Sequence, residues 1–421
     1  LESTLVIDLT RVLSGPYATM LLGDLGATIV KIEDPKSGDT TRHSAPFKNG
    51  QSHYFLAINR NKKSLALDLS TPGGREVLLA LCRKADVLIE NFRPGTMERL
   101  GIGFDVLHDA NPDLVVCSIS GFGQSGPLRD KIAYDVITQA MSGVLSTNGE
   151  AHGAPVRLSV PIGDLSGGMM ATIAILAALM GRQKSRDNSP NQSPNESLGK
   201  GHSQRHIDIS LHDGLLSTLT YMATLYDMTE RTPQRSGSRH PSVVPYGTFR
   251  TSDGWLALAI FTTPFWRKFC NAVGWQALGE DARFARTRER MHNRIELETM
   301  VEELIASRTT AEWEDILRKA DVPASAILTV PEAVEHEHTT ARGMFPTLTH
   351  PVYGSFRAPG PPIRLGGRAV ETPTPPPLLG EHSRYVLRDL LGMNAEAIAA
   401  LAAERVITIS DEPPLGANDN K

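Results

Sequence analysis

TLVIDLTRVLSGPYATMLLGDLGATIVKIE, residues 4–33, predicts a strand, a helix and a second strand in succession. Thr4–Leu9 is rich in β-branched and aliphatic residues, and Ser14-Gly15-Pro16 is typical of a helix start, with a capping residue and a proline in the first turn. We expect the helix Tyr17–Leu25 to end at Gly26 and the second strand to cover Ala27–Glu33. Two consecutive strands joined through a helix are expected to run parallel.

The same alternation continues along the chain. Further strands are expected over Ser64–Leu69, Asp86–Glu90, Leu114–Ile119 and His206–Leu211, and further helices over Pro72–Lys84 and Asp213–Asp227. Alternating strands and helices predict an α/β fold, here a Rossmann-like, doubly wound large domain. We assign residues 1–230 to this domain, with 370–410 returning to it, a mobile loop over 184–204 and a disordered tail over 411–421.

A change of character near Tyr246 predicts a second domain. Tyr246–Arg250 and Trp255–Ile260, joined by Ser252-Asp253-Gly254, are typical of a hairpin. Amphipathic helices are expected over Arg294–Ala306 and Thr310–Lys319. We therefore expect residues 240–346 to form a smaller α+β domain and residues 347–369 to form a linker.

Composition excludes several classes of function. Lys and Arg together number 43 against 47 Asp and Glu, a net charge of −4, so no overall basic field favours a nucleic-acid partner. The apolar run Met169–Met180 is shorter than the ~20 residues that cross a bilayer, and no signal-peptide pattern precedes the first strand, so we expect no membrane partner. The widely spaced Cys82, Cys117 and Cys270 form no metal-ligand pattern and favour a reducing compartment, which predicts a cytoplasmic protein.

One carboxylate stands at the mouth of a very apolar helix. Gly163-Asp164-Leu165-Ser166-Gly167-Gly168 precedes the run Met169–Met180, so Asp164 is expected in the first helical turn. One interpretation is a helix cap, whose oxygens accept orphan N–H groups at the positive end of the dipole. The other is an ionised nucleophile, since the same donors favour the charged form. Backbone N–H groups near Gly163 and Gly167 are candidate oxyanion donors, whereas the glycines would equally permit tight helix packing.

Short motifs spread from Val6 to about Ile407 carry a family resemblance. They are Asp8–Pro16 (DLTRVLSGP), Gly23–Ala27 (GDLGA), Lys31–Glu33 (KIE), Gly38-Asp39, Asn59–Ser64 (NRNKKS), Glu90–Gly95 (ENFRPG), Gly163-Asp164, Arg342–Phe345 (RGMF) and Leu379–His382 (LGEH). In this order they resemble the family III CoA-transferases, the group that contains formyl-CoA transferase, carnitine CoA-transferase relatives and 2-methylacyl-CoA racemase.

The resemblance implies a mechanism and an assembly. It makes Asp164 the nucleophile of an acyl-CoA:carboxylate CoA-transferase that acts through an aspartyl mixed anhydride and an aspartyl-CoA thioester. The substrates would be coenzyme A thioesters and a small carboxylic acid, with no metal and no permanently bound cofactor. The family's homodimer, in which two chains are threaded through each other, is expected here as well.

The resemblance also implies a binding site for CoA. Its contacts would fall on Leu13, Ser14, Leu67, Asn91, Phe92, Arg99, Lys131 and Tyr134. We expect Arg99 and Lys131 at the phosphates and Asn91 and Phe92 at the nucleotide end. Without the resemblance, the basic cluster Arg60, Lys62 and Lys63 is either the first phosphate candidate or a solvated face.

Tyr134-Asp135 separates transfer from racemisation. Racemases of the family carry a histidine-aspartate pair here, because proton exchange at the α-carbon needs an acid and a base. A tyrosine with an ordinary pKa of ~10 is a poor base at neutral pH, so we expect CoA transfer. A 2-methylacyl-CoA-type racemase and a non-catalytic CoA-binding protein are the alternatives. Asp135 is expected to orient the acceptor or CoA, or to cap a helix.

Overall fold

The computed structural model describes residues 1–188, 205–369 and 373–409. Contacts divide the chain into two compact units. The first unit comprises Leu1–Val144, Leu158–Ala223 and the described part of Arg342–Lys421, and the second comprises Leu145–Arg157 and Thr224–Ala341. These units differ from the predicted boundaries at three places. Residues 145–157 and 224–230 belong to the second unit, and residues 342–346 belong to the first. Residues 189–204 of the predicted mobile loop and the predicted tail lie outside the described residues.

The elements follow the chain in this order. The strands are β1 (Leu5–Asp8), β2 (Thr28–Glu33), β3 (Phe47–Lys48), β4 (Gln51–Ser52), β5 (Lys62–Leu67), β6 (Val87–Glu90), β7 (Val115–Ser120), β8 (His206–Ser210), β9 (Tyr246–Arg250), β10 (Trp255–Ala259), β11 (Ala324–Ala326), β12 (Thr347–His350), β13 (Gly354–Arg357), β14 (Arg364–Leu365), β15 (Arg368–Ala369) and β16 (Ile407–Thr408). The helices are α1 (Ser14–Asp24), α2 (His53–Ile58), α3 (Pro72–Cys82), α4 (Thr96–Arg99), α5 (Phe104–Ala110), α6 (Asp135–Met141), α7 (Val144–Thr147), α8 (Ile162–Asn188), α9 (Leu211–Thr218), α10 (Tyr221–Thr229), α11 (Thr263–Ala272), α12 (Gln276–Gly279), α13 (Thr287–His292), α14 (Arg294–Ala306), α15 (Thr310–Lys319), α16 (Val330–Glu335), α17 (Glu337–Ala341), α18 (Ser383–Tyr385) and α19 (Ala395–Ala403). A 3-10 turn covers Thr40–His43 and a π-helical turn covers Val386–Leu390.

A mostly parallel sheet organises the first unit. Within the described residues it has seven strands in the order β16-β5-β2-β1-β6-β7-β8. Every neighbouring pair is parallel except β16, which lies antiparallel to β5. The chain builds one half of the sheet outward from β1 through β2 to β5, then crosses to β6 and builds the other half. The predicted α/β class and its parallel strands are therefore confirmed.

Apolar side chains cover both faces of this sheet because neighbouring residues of a strand point in opposite directions. On one face, Ile7 and Leu88 pack with the buried side of α3. On the other face, Val6 and Ile89 pack with α1 and α8, where Ala171 is fully buried. Helices on both faces make the first unit doubly wound.

The second unit has a core of its own. β9 and β10 form the predicted hairpin, and β11 pairs with the other edge of β10. Trp266, Phe269 and Trp313 are buried between this small sheet and its helices. Helices α14 and α15 begin and end at the predicted residues.

Helix α8 is longer than its apolar run predicted. It extends to Asn188, so Lys184–Asn188 continue a helix where a loop was expected. Its section Ile162–Arg182 has a mean hydropathy of 1.6 and is long and apolar enough to cross a membrane by length and composition alone, so the expectation of no membrane partner stays a prediction. One side of the same section packs along α1, α9, β7 and β8, with Ala171 and Ile175 fully buried, whereas Met169, Ile173 and Met180 are exposed.

Two further predictions are corrected. The single helix expected over Asp213–Asp227 is interrupted between α9 and α10, where Thr220 has a φ of 42°, a left-handed conformation that no helix continues through. Residues 347–369 are not a bare linker, since β12 pairs with β13 and β14 pairs with β15 in two short hairpins.

Candidate active site

The strand order places a crevice at the carboxyl ends of β1 and β6. The connections from these adjacent strands leave toward opposite halves of the sheet, and such switch points are where open α/β sheets bind ligands. A cavity of about 400 Å³ lies there, lined by the residues that follow β1, β6 and β7. Its cationic side chains are Arg11, Arg93, Arg129 and Lys131. An anionic ligand is the natural occupant of a cavity with this charge.

A second cavity, of about 350 Å³, shares Arg11 and Phe92 with the first. Its apolar wall is formed by Leu9, Ile32, Leu67, Leu69, Phe92 and Leu100. The guanidinium of Arg11 lies 5.3 Å from the centre of the Phe92 ring. The second cavity also has charged residues in its lining, namely Glu33, Asp34, Lys36 and Asp68, so the two cavities share the Arg11–Phe92 contact and both have polar walls.

The structure brings most of the predicted CoA contacts to these cavities. Asn91, Phe92, Lys131 and Tyr134 line the first cavity, and Leu67 lines the second. Leu13 and Ser14 are buried at the start of α1, directly after the lining residue Val12.

Arg99 borders this region on helix α4 without lining either cavity. Its side chain is exposed, and its Nη2 donates to Thr96 Oγ1 at 2.7 Å. Thr96 lines the second cavity, so Arg99 contacts a residue of the cavity wall without lining the cavity itself.

Sequence reasoning missed three of the cations. Arg11 follows β1, Arg93 follows β6 and Arg129 precedes the predicted Lys131. The available signal was positional: basic residues stand just beyond the carboxyl ends of strands that flank the switch point. The basic cluster Arg60, Lys62 and Lys63 is the denser group of cations in the sequence.

In the basic cluster Arg60, Lys62 and Lys63, the first two belong to the core, which corrects both interpretations for them, whereas Lys63 is half-buried and lines a separate cavity of about 370 Å³. Arg60 is 3% exposed and donates through Nε and Nη2 to the two oxygens of Asp24, at 2.8 and 2.5 Å. Lys62 is 3% exposed and contacts Asp8 at 3.1 Å. Burial, only partly offset by Asp8, lowers the pKa of Lys62 to about 8. These charges are structural partners of neighbouring acids.

Asp164 lies in the first turn of α8, half-buried, as the sequence predicts. The expectation that it is readily ionised is wrong. Burial, together with the charge of Asp135, raises the pKa of Asp164 to about 7. The N–H donors at this helix end are bonded to the other carboxylate, which removes the stabilisation that a capping aspartate would gain.

Asp135 is that other carboxylate, and it is buried. Its Oδ1 accepts the N–H of Gly163 at 2.8 Å and, at a longer 3.4 Å, the N–H of Asp164. Its Oδ2 accepts from Gln139 Nε2 at 2.6 Å, and Gln139 Oε1 in turn accepts the N–H of Leu158 at 3.1 Å. Asp135 therefore caps α8 from outside that helix and ties it to α6. Capping a helix was one of its two predicted roles.

The glycines of this turn serve packing. A Cβ on Gly163 would lie 2.9 Å from Asp135 Oδ1, and one on Gly167 would lie 2.3 Å from Leu211 Cδ2. A Cβ on Gly168 would lie 2.6 Å from the carbonyl oxygen of Ser14. The N–H of Gly163 is already bonded to Asp135, so the prediction that it serves an oxyanion is corrected.

Two tyrosines stand near the carboxylates. Tyr134 is 69% exposed and lines the larger cavity immediately before Asp135. Burial and the nearby charges of Asp164, Asp39 and Asp135 raise the pKa of Tyr54 to about 12. Tyr54 therefore remains a phenol, able to donate a hydrogen bond, and no sequence pattern pointed to it.

No group of three or more His, Cys, Asp or Glu side chains that could hold a metal ion occurs in the described ranges. His336 and His338, which alternate with glutamates in the sequence, lie on either side of the start of α17.

The comparison with known protein families identifies this arrangement. A family profile described as CoA-transferase family III matches residues 1–383. The chain belongs to CoA-transferase family III. It is therefore an enzyme that transfers CoA, and the resemblance carried by the sequence motifs is confirmed.

Curated relatives of this family III CoA-transferase match over nearly its whole length. The succinyl-CoA:glutarate CoA-transferase of Mus musculus is 35% identical over 97% of this chain and 90% of its own. The acetyl-CoA:oxalate CoA-transferase of Acetobacter aceti is 38% identical over 87% of this chain and 89% of its own. The succinyl-CoA–D-citramalate CoA-transferase of Chloroflexus aurantiacus is 32% identical over 97% of this chain and 98% of its own.

Solved structures share the fold of this CoA-transferase. A CAIB/BAIF family protein from Brucella suis superposes with a TM-score of 0.78 at 32% identity, over 92% of this chain and 98% of that one. A Mycobacterium tuberculosis protein does so with a TM-score of 0.78 at 28% identity, over 91% and 98%.

Proposed function

We propose that this CoA-transferase moves CoA from an acyl-CoA donor to a small dicarboxylic acid through covalent intermediates on Asp164. The observation that carries the proposal is the placement of Asp164 in the first turn of α8, where its N–H faces Asp135 Oδ1. Asp135 directly follows Tyr134, which lines the cation-lined cavity. The printed names of the relatives pair CoA esters with glutarate, oxalate and D-citramalate, which supports a dicarboxylic acceptor.

The first half of the reaction loads the enzyme. The ionised Asp164 attacks the thioester carbonyl, a C–O bond forms, the C–S bond breaks and CoA leaves as a thiolate, giving a mixed anhydride. The thiolate then attacks the carbonyl carbon of Asp164. The donor acid leaves as a carboxylate, and the enzyme holds CoA as an aspartyl thioester.

The second half reverses these steps with the acceptor. The acceptor carboxylate attacks the aspartyl thioester and releases CoA thiolate, which gives a second mixed anhydride. The thiolate attacks the acceptor's carbonyl carbon, and Asp164 leaves as a carboxylate. Each bond that breaks is matched by an activated acyl bond that forms, so no nucleotide is consumed.

The environment of Asp164 supports a nucleophile. A carboxylate with a pKa of about 7 is more basic than an exposed aspartate and is still ionised in a useful fraction at neutral pH. The phenol of Tyr54, with its pKa raised to about 12, is a candidate hydrogen-bond donor to the oxyanion or to the acceptor.

The two cavities support a binding mode for CoA along the edge of the sheet. The cations Arg11, Arg93, Arg129 and Lys131 suit the phosphates. The wall that contains Leu67, Phe92 and Leu100 suits the adenine. Asn91 lines the cation-lined cavity, and Arg99 contacts Thr96 on the wall of the other.

The second candidate activity is racemisation of a 2-methylacyl-CoA, which needs a base on each side of the α-carbon. The shifted pKa of Asp164 favours it as one such base, but the position where the family's racemases carry histidine holds Tyr134. Uptake of deuterium at the α-carbon from heavy water, without any acceptor, separates this activity from transfer.

We also propose a homodimer. The chain by itself leaves large apolar side chains on α8 exposed to water: Met169, Ile173 and Met180. A surface of this kind is typical of a protein–protein interface. Light scattering on a sizing column would give twice the 45.7 kDa chain mass.

We retain the cytoplasmic location as a prediction; the three cysteines are free and buried.

The test of the mechanism is to trap the covalent enzyme. The protein is incubated with succinyl-CoA or acetyl-CoA, treated with hydroxylamine and digested, and the peptide with Asp164 is examined by mass spectrometry. A hydroxamate on Asp164 in the wild type and its absence in Asp164→Ala are expected. Undiminished transfer by Asp164→Ala would reject the mechanism while leaving CoA binding intact.

A further inference from the structure

The turn that follows β1 is held by side chains at three consecutive residues. Lys31 Nζ donates to the carbonyl oxygen of Thr10 at 2.7 Å. Asn91 Oδ1 accepts the N–H of Arg11 and Asn91 Nδ2 donates to the carbonyl oxygen of Arg11, both at 2.8 Å. Asp39 Oδ1 lies 3.4 Å from the N–H of Val12, a long hydrogen bond.

The backbone at Val12 needs such support. Its φ is 68°, in the left-handed region, where a β-branched residue is a marked outlier. Left-handed conformations place Cβ too close to the neighbouring carbonyl oxygen, so an unsupported valine moves back to negative φ. The observed conformation therefore depends on the contacts around it.

The anchor of this support is buried. Lys31 Nζ and Asp39 Oδ2 are 2.9 Å apart, and both side chains are fully excluded from water. Burial opposes both charges, but Asp8 and Asp39 raise the pKa of Lys31 and Lys31 and Thr41 lower the pKa of Asp39. Both groups therefore stay ionised and fixed beneath the turn.

What the turn carries is the cation shared by the two cavities. Arg11 lines both of them and lies over Phe92, and Val12 lines the larger one. A change of φ at Val12 would rotate the chain on either side of it, Arg11 on one and Leu13 on the other. The shape of the site thus depends on a backbone conformation that the turn would not keep alone.

We propose that Asn91 is a positioning residue: with the Lys31–Asp39 pair it clamps Thr10–Val12 in a strained conformation that sets the place of Arg11 in the CoA site. This rests on the proposed function of that site. It gives Asn91 a role besides the expected place at the nucleotide end of CoA, because one acceptor site and one N–H of its side chain are engaged with the backbone of Arg11.

The proposal predicts that relieving the strain replaces the clamp. Glycine adopts positive φ freely, so Val12→Gly removes the reason for the turn to collapse. Asn91→Ala should weaken CoA binding about tenfold, the size of effect that one left-handed residue accounts for. In the Val12→Gly background the same substitution should weaken binding no more than about twofold to threefold. A nucleotide-contacting asparagine would show the same loss in both backgrounds.

The chain offers a matched control in Asn111. Its Nδ2 also donates to backbone carbonyls, of Cys82 and Ala85, at 2.9 and 3.0 Å, but at the amino ends of β6 and β7. Asn111→Ala should lower the melting temperature without changing the affinity for CoA. A purely structural role of Asn91 would make the two variants alike.

The experiment is calorimetric titration of CoA into the wild type, Asn91→Ala, Val12→Gly, the double variant and Asn111→Ala, with kcat and KM for acyl-CoA measured alongside. Weaker binding in Asn91→Ala with kcat kept within about twofold, and its restoration by Val12→Gly, support the clamp. Wild-type affinity in Asn91→Ala, or equal losses in both backgrounds, overturns it. Should Asn91→Ala not fold, Asn91→Ser in the same two backgrounds carries the comparison. A wild type that does not bind CoA overturns the proposed function and the clamp together.

Discussion

Asp135 Oδ1 accepts the backbone N–H of Asp164 at 3.4 Å, so one carboxylate occupies the amino end of the helix that displays the other. The favourable end of the helix dipole stabilises the charge of Asp135, which also has the N–H of Gly163. Asp164 receives the repulsion of that charge. Burial, together with this repulsion, raises the pKa of the proposed nucleophile toward neutral pH, and Asp135 does not have to touch substrate to contribute.

The rate of the acyl-CoA half-reaction should depend on this tuning. Because burial and Asp135 raise the pKa of Asp164 to about 7, kcat/KM should rise with pH through about 7 and then level off. Asp135→Asn removes the charge, so the rising part of the kcat/KM profile should move to lower pH by on the order of one unit. Asp105→Asn, which alters an exposed first-turn aspartate of α5, is the control. pH profiles that coincide in Asp135→Asn and the wild type contradict the assignment.

The free energy of unfolding should also depend on the pKa of Asp164. It should fall over the pH range in which activity rises. A carboxyl whose pKa is raised in the folded state contributes stability at low pH that is lost as the pH rises through about 7. Asp164→Asn should therefore increase the free energy of unfolding at about pH 8, by roughly 1–2 kcal/mol after allowing for its partial exposure, and change it little at about pH 3.5, below the ordinary pKa of an aspartate. Urea denaturation at the two pH values measures this. A gain of equal size at both would show that the carboxylate charge is not its source.

The Arg60–Asp24 pair should matter for stability and not for substrate. Removing one partner leaves an unpaired buried charge, so Arg60→Ala should lower the free energy of unfolding by about 3–5 kcal/mol. Arg388→Ala, which breaks an exposed pair with Asp389, should leave it nearly unchanged, because water screens an exposed ion pair. Titration of CoA into whichever Arg60 variant remains folded, Arg60→Lys included, should give wild-type affinity. A selective loss of CoA affinity would return this cluster to the list of phosphate ligands.

Two glycines of α8 should respond to alanine in opposite directions. Gly168→Ala puts a Cβ 2.6 Å from the carbonyl oxygen of Ser14, so α1 and α8 must separate, and we expect a loss of roughly 1–3 kcal/mol. At Gly181 the added Cβ meets no described atom within 4 Å apart from its chain neighbours and the backbone of its own helix, and helix propensity predicts a gain of about 0.5–1 kcal/mol. Thermal melts of the two variants test the packing directly. Equal effects would mean that the α1–α8 contact is looser than the structure has it.

The fold was largely predictable from local pattern. The alternation of Val6 and Ile7 between the two faces, and the glycine and proline signals around α1, act over a few residues and are visible in the sequence. The break at Thr220 was not predictable, since no glycine or proline marks it. The hairpins at 347–369 were missed because their strands are short and polar.

The candidate site was predictable in its members and less so in their roles. The position of Asp164 follows from the motif, but its raised pKa depends on Asp135, which is distant in sequence. The burial of Arg60 and Lys62 depends on acids contributed by β1 and α1. Likewise, the side chain of Asn91 reaches back to Arg11, and only the pairing of β1 with β6 brings the two together.

The antiparallel strand β16 pairs with Ala66 and Leu67 at the carboxyl end of the edge strand β5, and most of the polypeptide is synthesised between the two. At ~5–20 residues per second, the ribosome leaves the free backbone groups of β5 without this partner for tens of seconds. Uncapped edge strands recruit other strands, so the nascent chain depends on chaperones or on its own early helices over that interval. Truncating the carboxyl terminus before β16 would make this exposure permanent and turn a transient hazard of translation into aggregation of the finished protein.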